Sequence, residues 1–229
     1  MNKSTWEVEN MRMTTLAWLG ALMLTMNGCA NADAIKAAEE AAAEDFTEAA
    51  FVVADGEAVP QRVYVEPGKT ARIWIMLAGS EAGEITPPEG DAKPIEPNQP
   101  DYVDLTDLTA GEHTLRITIG EQTQEAVVVA GERPEGETAE AAVLMARKVF
   151  MPIRTRVPAQ TPLILHLYST VGMPHGDFQL FGTDIALRFE RKALNSLELT
   201  KGLQAGDYLI SRPGYPNQNH GIEAHIIAE

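Results

Sequence analysis

Two stretches of this chain read as one pattern written twice: "VEPGKTARIWI" (Val65–Ile75) and "RVPAQTPLILH" (Arg156–His166), which align on Thr70 and Thr161. Each carries a proline turn and then a run rich in β-branched or aliphatic residues, the signature of a buried strand. Further along, "LTAGEHTL" (Leu108–Leu115) matches "LQAGDYLI" (Leu203–Ile210), an Ala-Gly turn leading into another strand. Two units of like construction are therefore expected, one on each side of "AGERPEGETAEAA" (Ala130–Ala142), an acidic, Pro/Gly-containing break that reads as a linker. Other short runs bounded by Gly and Pro fill both units: "RVYVEP", "HTLRITIG" and "QEAVVVAG" in the first, "DFQLFG", "DIALRFE", "SLELT", "DYLIS" and "EAHIIAE" in the second. The fold class is all-β, with two antiparallel β-sandwich domains, over 51–131 and 143–229, joined by a linker over 132–142.

The beginning of the chain is of another kind. Arg12 precedes the apolar run "LAWLGALMLTM" (Leu16–Met26) and then "NGCA", the order of a secretory signal and too short to cross a bilayer. Its end resembles the lipobox of bacterial lipoproteins, with Gly28 before the cut and Cys29 as the residue to be lipidated. That resemblance implies a signal peptide over 1–28, anchoring in the lipid bilayer through acylated Cys29, and, with Ala30 rather than Asp next, an outer-membrane location facing the periplasm. Residues 29–50, "CANADAIKAAEEAAAEDFTEAA", are rich in Ala and Glu with little apolar stripe, and read as an acidic tether. Cys29 is the only cysteine, so the mature protein has no thiol for a disulfide or a copper thiolate.

Eighteen basic against 33 acidic residues leave a formal charge of -15. Such a surface repels nucleic acid, and the partners it favours are a cation or a basic envelope protein. No catalytic pattern stands out: Ser211 has no His and Asp at a telling spacing, and there is neither a Gly-rich phosphate loop nor an HExxH. The chain is read as a non-enzyme.

Within the second unit, "PLILHLYSTVGMPHGDFQLFG", "LELTKGLQAGDYLI" and the closing "GDYLISRPGYPNQNHGIEAHIIAE" resemble the cupredoxin fold, and in spacing the binuclear-copper domain of cytochrome oxidase subunit II. The family places cysteines six and ten residues after the turn glycine, a histidine at fourteen and a methionine at seventeen. Counted from Gly206, those positions hold Arg212, Pro216, His220 and Glu223, and His175 in "MPHGDF" matches the family's first histidine. Both imidazoles are kept while both thiolates and the thioether are gone, so neither a binuclear nor a type 1 copper centre can form. The resemblance implies a mononuclear Cu(II) or Zn(II) site on His175 and His220, with Glu223, and His225 two residues on, as further candidates. His166, within the alternating "LILHLYS", reads as a cross-strand residue. The alternative expectation is a metal-free envelope lipoprotein acting as a protein-interaction module, its Arg212 paired with Glu223, as quinol-oxidase subunits of this family keep the fold without copper.

Overall fold

The computed structural model describes residues 46–146, 149–171, 177–212 and 223–229. The stretch read as a signal, Cys29 and most of the stretch read as a tether lie outside the described residues. Eighteen strands follow in order: β1 (Phe46–Ala54), β2 (Glu57–Val59), β3 (Arg62–Val65), β4 (Thr70–Leu77), β5 (Gly83–Thr86), β6 (Lys93–Ile95), β7 (Asp101–Leu105), β8 (Gly111–Ile119) and β9 (Gln122–Ala130), then β10 (Ala139–Ala146), β11 (Val149–Met151), β12 (Arg154–Val157), β13 (Leu163–Ser169), β14 (Phe178–Leu180), β15 (Ile185–Leu187), β16 (Leu194–Leu199), β17 (Gly206–Ser211) and β18 (Ala224–Ala228). There is no helix among the described residues.

The first nine strands make two facing sheets, β2-β1-β4-β7 and β3-β9-β8-β5-β6, and the second nine repeat them as β11-β10-β13-β16 and β12-β18-β17-β14-β15. The chain is thus all-β with two β-sandwiches, each strand of one having a counterpart in the other. Most pairings are antiparallel, but every sheet contains one parallel pair: β1 with β4, β10 with β13, β3 with β9 and β12 with β18. The cause is the opening of each unit, where the first strand crosses through a short hairpin into the other sheet and must run beside a strand of its own direction.

Register also refines the internal repeat. Val65 pairs with Ala130 as Val157 pairs with Ala228, and the bridge from Leu77 to Pro97 is answered by one from Ser169 to Arg191. Val157, not Arg156, is therefore the counterpart of Val65, one residue away from the alignment on the threonines. A one-residue slip exchanges the two faces of a strand, so only the in-and-out alternation fixes the match: Ala71, Ile73 and Ile75 face one core as Leu163, Leu165 and Leu167 face the other. The Ala-Gly turn needs no correction, since Gly68 N–H donates to Leu108 O and Gln160 N–H to Leu203 O.

Three cores hold the strands. The first fills the N-terminal sandwich around Phe51, Ile73, Ile85 and Leu115, and the second fills the C-terminal one around Phe150, Leu165, Phe178 and Ile226. The third lies between the sandwiches and joins Ala50, Val52 and Met76 to Ala142, Leu144, Met151 and Tyr168. Consequently β1 and β10 are buried on both faces, Phe51 and Val53 pointing one way and Ala50 and Val52 the other. Across this seam the Tyr168 hydroxyl donates to Asn98 Oδ1 at 2.7 Å. Two boundaries move accordingly: β1 begins at Phe46, inside the stretch read as tether, and β10 begins at Ala139, inside the stretch read as linker. Both stretches are alanine-rich, and small side chains are what let two strand faces approach closely enough for a sheet-on-sheet contact.

Candidate functional site

The strand ends that border the two segments expected to bind metal lie together at one end of the C-terminal sandwich. Gln179 pairs with Ser211, and Ile210 with Ala224, so β14 begins, β17 ends and β18 begins side by side. The segments carrying His175 and His220 open from those strand ends; both histidines lie outside the described residues. Phe178, fully buried, closes the core beneath with Phe150 and Phe189, the three rings 5.1, 5.5 and 5.6 Å apart and mostly edge to face. Such contacts fix the rings in place as well as burying them.

Arg212, at a position where the resemblance places a cysteine, lays its guanidinium carbon 5.3 Å from the Phe178 ring centre. Its charge is drawn toward the ring face rather than left in open solvent. Glu223 is half-buried just before β18. His225 is placed differently from the expectation. Along β18, Ala224, Ile226 and Ala228 enter the core, so His225 stands on the outer face of its sheet, where Nδ1 lies 2.7 Å from Asp207 Oδ1. Among the described residues no three His, Cys, Asp or Glu side chains come together as a metal-binding group.

A second polar region lies where the sandwiches meet. A cleft of about 180 Å3 is lined by Glu48, Ala50, Tyr64, Arg133, Glu140 and Arg156, among others. Arg133 stacks on Tyr64 at 4.2 Å and donates to Thr138 O, while the Tyr64 hydroxyl donates to Glu137 at 2.9 Å. Burial lowers the Arg133 value from its ordinary one; burial, then the hydrogen bond to Glu137, raises that of Tyr64. These contacts strap the acidic connection to the first sandwich.

The repeat places Glu48 and Glu140 at equivalent points of β1 and β10, and each accepts a hydrogen bond from a ring nitrogen on the next strand. Trp74 Nε1–H donates to Glu48 at 2.9 Å, and His166 Nε2 lies 3.1 Å from Glu140. On its other side His166 Nδ1 lies 2.9 Å from Ser196 Oγ, its cross-strand neighbour in β16. His166 is thus a cross-strand residue, as its alternation suggests. Its two partners escaped the sequence reading, Glu140 because it fell within the supposed linker and Ser196 because only strand register reveals it.

No protein-family model matches the chain, and no curated protein matches it in sequence. Solved structures similar to it include a heme-copper terminal oxidase dimer, at 13% identity over 43% of this chain and 70% of that one, with a TM-score of 0.34. A multicopper oxidase is similar at 12% identity over 80% of this chain and 89% of that one, with a TM-score of 0.28. The copper nitrite reductase from Nitrosomonas europaea is similar at 10% identity over 80% and 94%, with a TM-score of 0.30.

Proposed function

We propose that this is a lipid-anchored, periplasm-facing, cupredoxin-like protein that binds one Cu(II) or Zn(II) ion in the end loops of its C-terminal sandwich, in metal handling or in support of a respiratory copper enzyme. The observation that carries the reading is a difference between the two repeats. In the first sandwich β8 passes to β9 through Gly120 and Glu121 alone, and β4 to β5 through residues 78–82. In the second, the equivalent connections run over 212–223 and 170–177, and they hold His220, Glu223 and His175. Between β8 and β9 the same framework closes with a two-residue turn, so the longer stretch holding His220 and Glu223 answers no need of the fold, and long connections on a rigid scaffold are where binding groups collect.

The donors suit such an ion. Two imidazoles and a carboxylate form a borderline-hard set, and the lack of any thiolate after Cys29 rules out a copper-thiolate centre. When bound, the ion would be held by His175 and His220, with Glu223 offsetting its charge. A second reading rests on Arg212: a fixed positive charge at a former ligand position opposes a cation, which favours a metal-free protein-interaction module presenting the same loops to an envelope partner.

Titrating a soluble form that lacks residues 1–29 with Cu(II) and Zn(II), read by melting temperature and Cu(II) EPR, separates the two. The metal reading expects one nitrogen-ligated ion per chain and a rise in melting temperature by linkage, both lost in His175→Ala and in His220→Ala. Equal melting of all three proteins with and without metal would leave the interaction module. Anchoring is tested separately by palmitate labelling in cells, which should vanish in Cys29→Ser.

A further inference from the structure

Three neighbouring strands of the second sandwich place Glu140, His166 and Ser196 on one sheet face, opposite the face that Ala141, Leu165 and Leu197 turn to the core. The order of bonding is set by chemistry. An ionised carboxylate only accepts, so the imidazole nitrogen facing Glu140, 3.1 Å away, carries the proton. The other nitrogen, Nδ1, then has a lone pair directed at the Ser196 hydroxyl 2.9 Å away. His166 is buried, 6% exposed, while Ser196 on the edge strand β16 is open to solvent. A shielded base, held in one tautomer by a carboxylate and hydrogen-bonded to an accessible hydroxyl, is the arrangement that activates a serine.

The first sandwich supplies an internal comparison. There the counterpart ring is Trp74, which donates to Glu48 and packs against Tyr102 at 5.0 Å. Bracing the carboxylate needs only a ring N–H, and an indole cannot take up a proton. The second sandwich keeps the brace but uses the ring that can, and sets a hydroxyl on its far side.

We propose that Ser196 is a nucleophile for acyl transfer, with His166 as its general base and Glu140 as a positioning residue. Oγ forms a bond to the acyl carbon while its proton passes to Nδ1; the ester's alcohol departs with that proton. Water then attacks the seryl ester, giving its proton to the same nitrogen, and the released acid restores the hydroxyl as Oγ takes the proton back. Glu140 and Glu198 flank Ile164 on this face, and Arg133 lies close enough to Glu140 to interact with its charge, so charges of both signs border the hydroxyl and the substrate class is a small neutral ester.

The test uses the whole chain, a fluorophosphonate probe with peptide mapping, and p-nitrophenyl acetate hydrolysis. One label on Ser196 is expected, absent after heat denaturation. Ser196→Ala, an exposed and fold-neutral change, should abolish labelling and hydrolysis. Glu140→Gln should slow both by about 10²-fold, since loss of the fixed tautomer removes most of the base's contribution, and should displace the pH–rate profile without changing the melting temperature. Glu48→Gln, the equivalent change in the other sandwich, should leave the rate as it was. Labelling elsewhere, hydrolysis undiminished in Ser196→Ala, or a Glu140→Gln variant as reactive as the parent would each overturn the proposal.

Discussion

Leu144→Ala tests whether the two sandwiches stand or fall together. Leu144 is fully buried in β10, in the core shared with Val52 and Met76 of the other sandwich. Truncation removes its apolar burial and leaves a cavity that strands held on both faces cannot collapse to fill, a cost of about 3 kcal/mol. With a urea dependence of about 2–3 kcal/mol/M for a chain of this size, the unfolding midpoint should fall by about 1–1.5 M. The probe is built in: Trp74 is the only tryptophan after Cys29, lies in the first sandwich and packs against the shared core. Fluorescence and far-UV circular dichroism should shift together, and Leu187→Ala, deep in the second core alone, should move the Trp74 curve as well. If the Trp74 midpoint stays put in both variants while the dichroism curve divides into two steps, the sandwiches unfold independently and the coupling argument is wrong.

Tyr168→Phe removes the hydroxyl that donates to Asn98 across the seam and should cost about 1–1.5 kcal/mol by denaturant titration. Burial raises the Tyr168 phenol above its ordinary value. Its contribution is therefore complete below about pH 10 and is lost as pH rises through the raised folded value, so the alkaline fall in stability should be shallower in Tyr168→Phe. Arg156 Nη1 donates to both carboxylate oxygens of Glu229, at 2.7 and 2.9 Å, but both side chains are well exposed, 40% and 57%. Arg156→Ala should cost under about 1 kcal/mol, an effect that shrinks further in high salt. Gly202 has a φ of +62°, and an added Cβ would lie 2.0 Å from Thr161 O; Gly202→Ala should destabilise by about 2 kcal/mol or more, seen as a lower melting temperature.

Much of this architecture was legible in the residues themselves. Alternation within runs such as "ARIWI" and "LILHLYS", punctuated by Pro and Gly, is a local property of the backbone, and it determined an all-β chain of two like units. The Ala-Gly turns were matched in register because a turn is specified by the few residues that form it. What sequence could not supply was any relation between distant strands. Ala50 of β1 and Ala142 of β10 looked like tether and linker, since small residues carry no periodic signal, and only the packed molecule shows that they line a third core. The same holds for the polar residues. His175 and His220 could be singled out because their spacing lies within one stretch each, whereas Glu140, His166 and Ser196 are brought within hydrogen-bonding distance by cross-strand register alone. Composition and local pattern decided what kind of strands form; long-range pairing, which no short stretch encodes, decided which side chains meet.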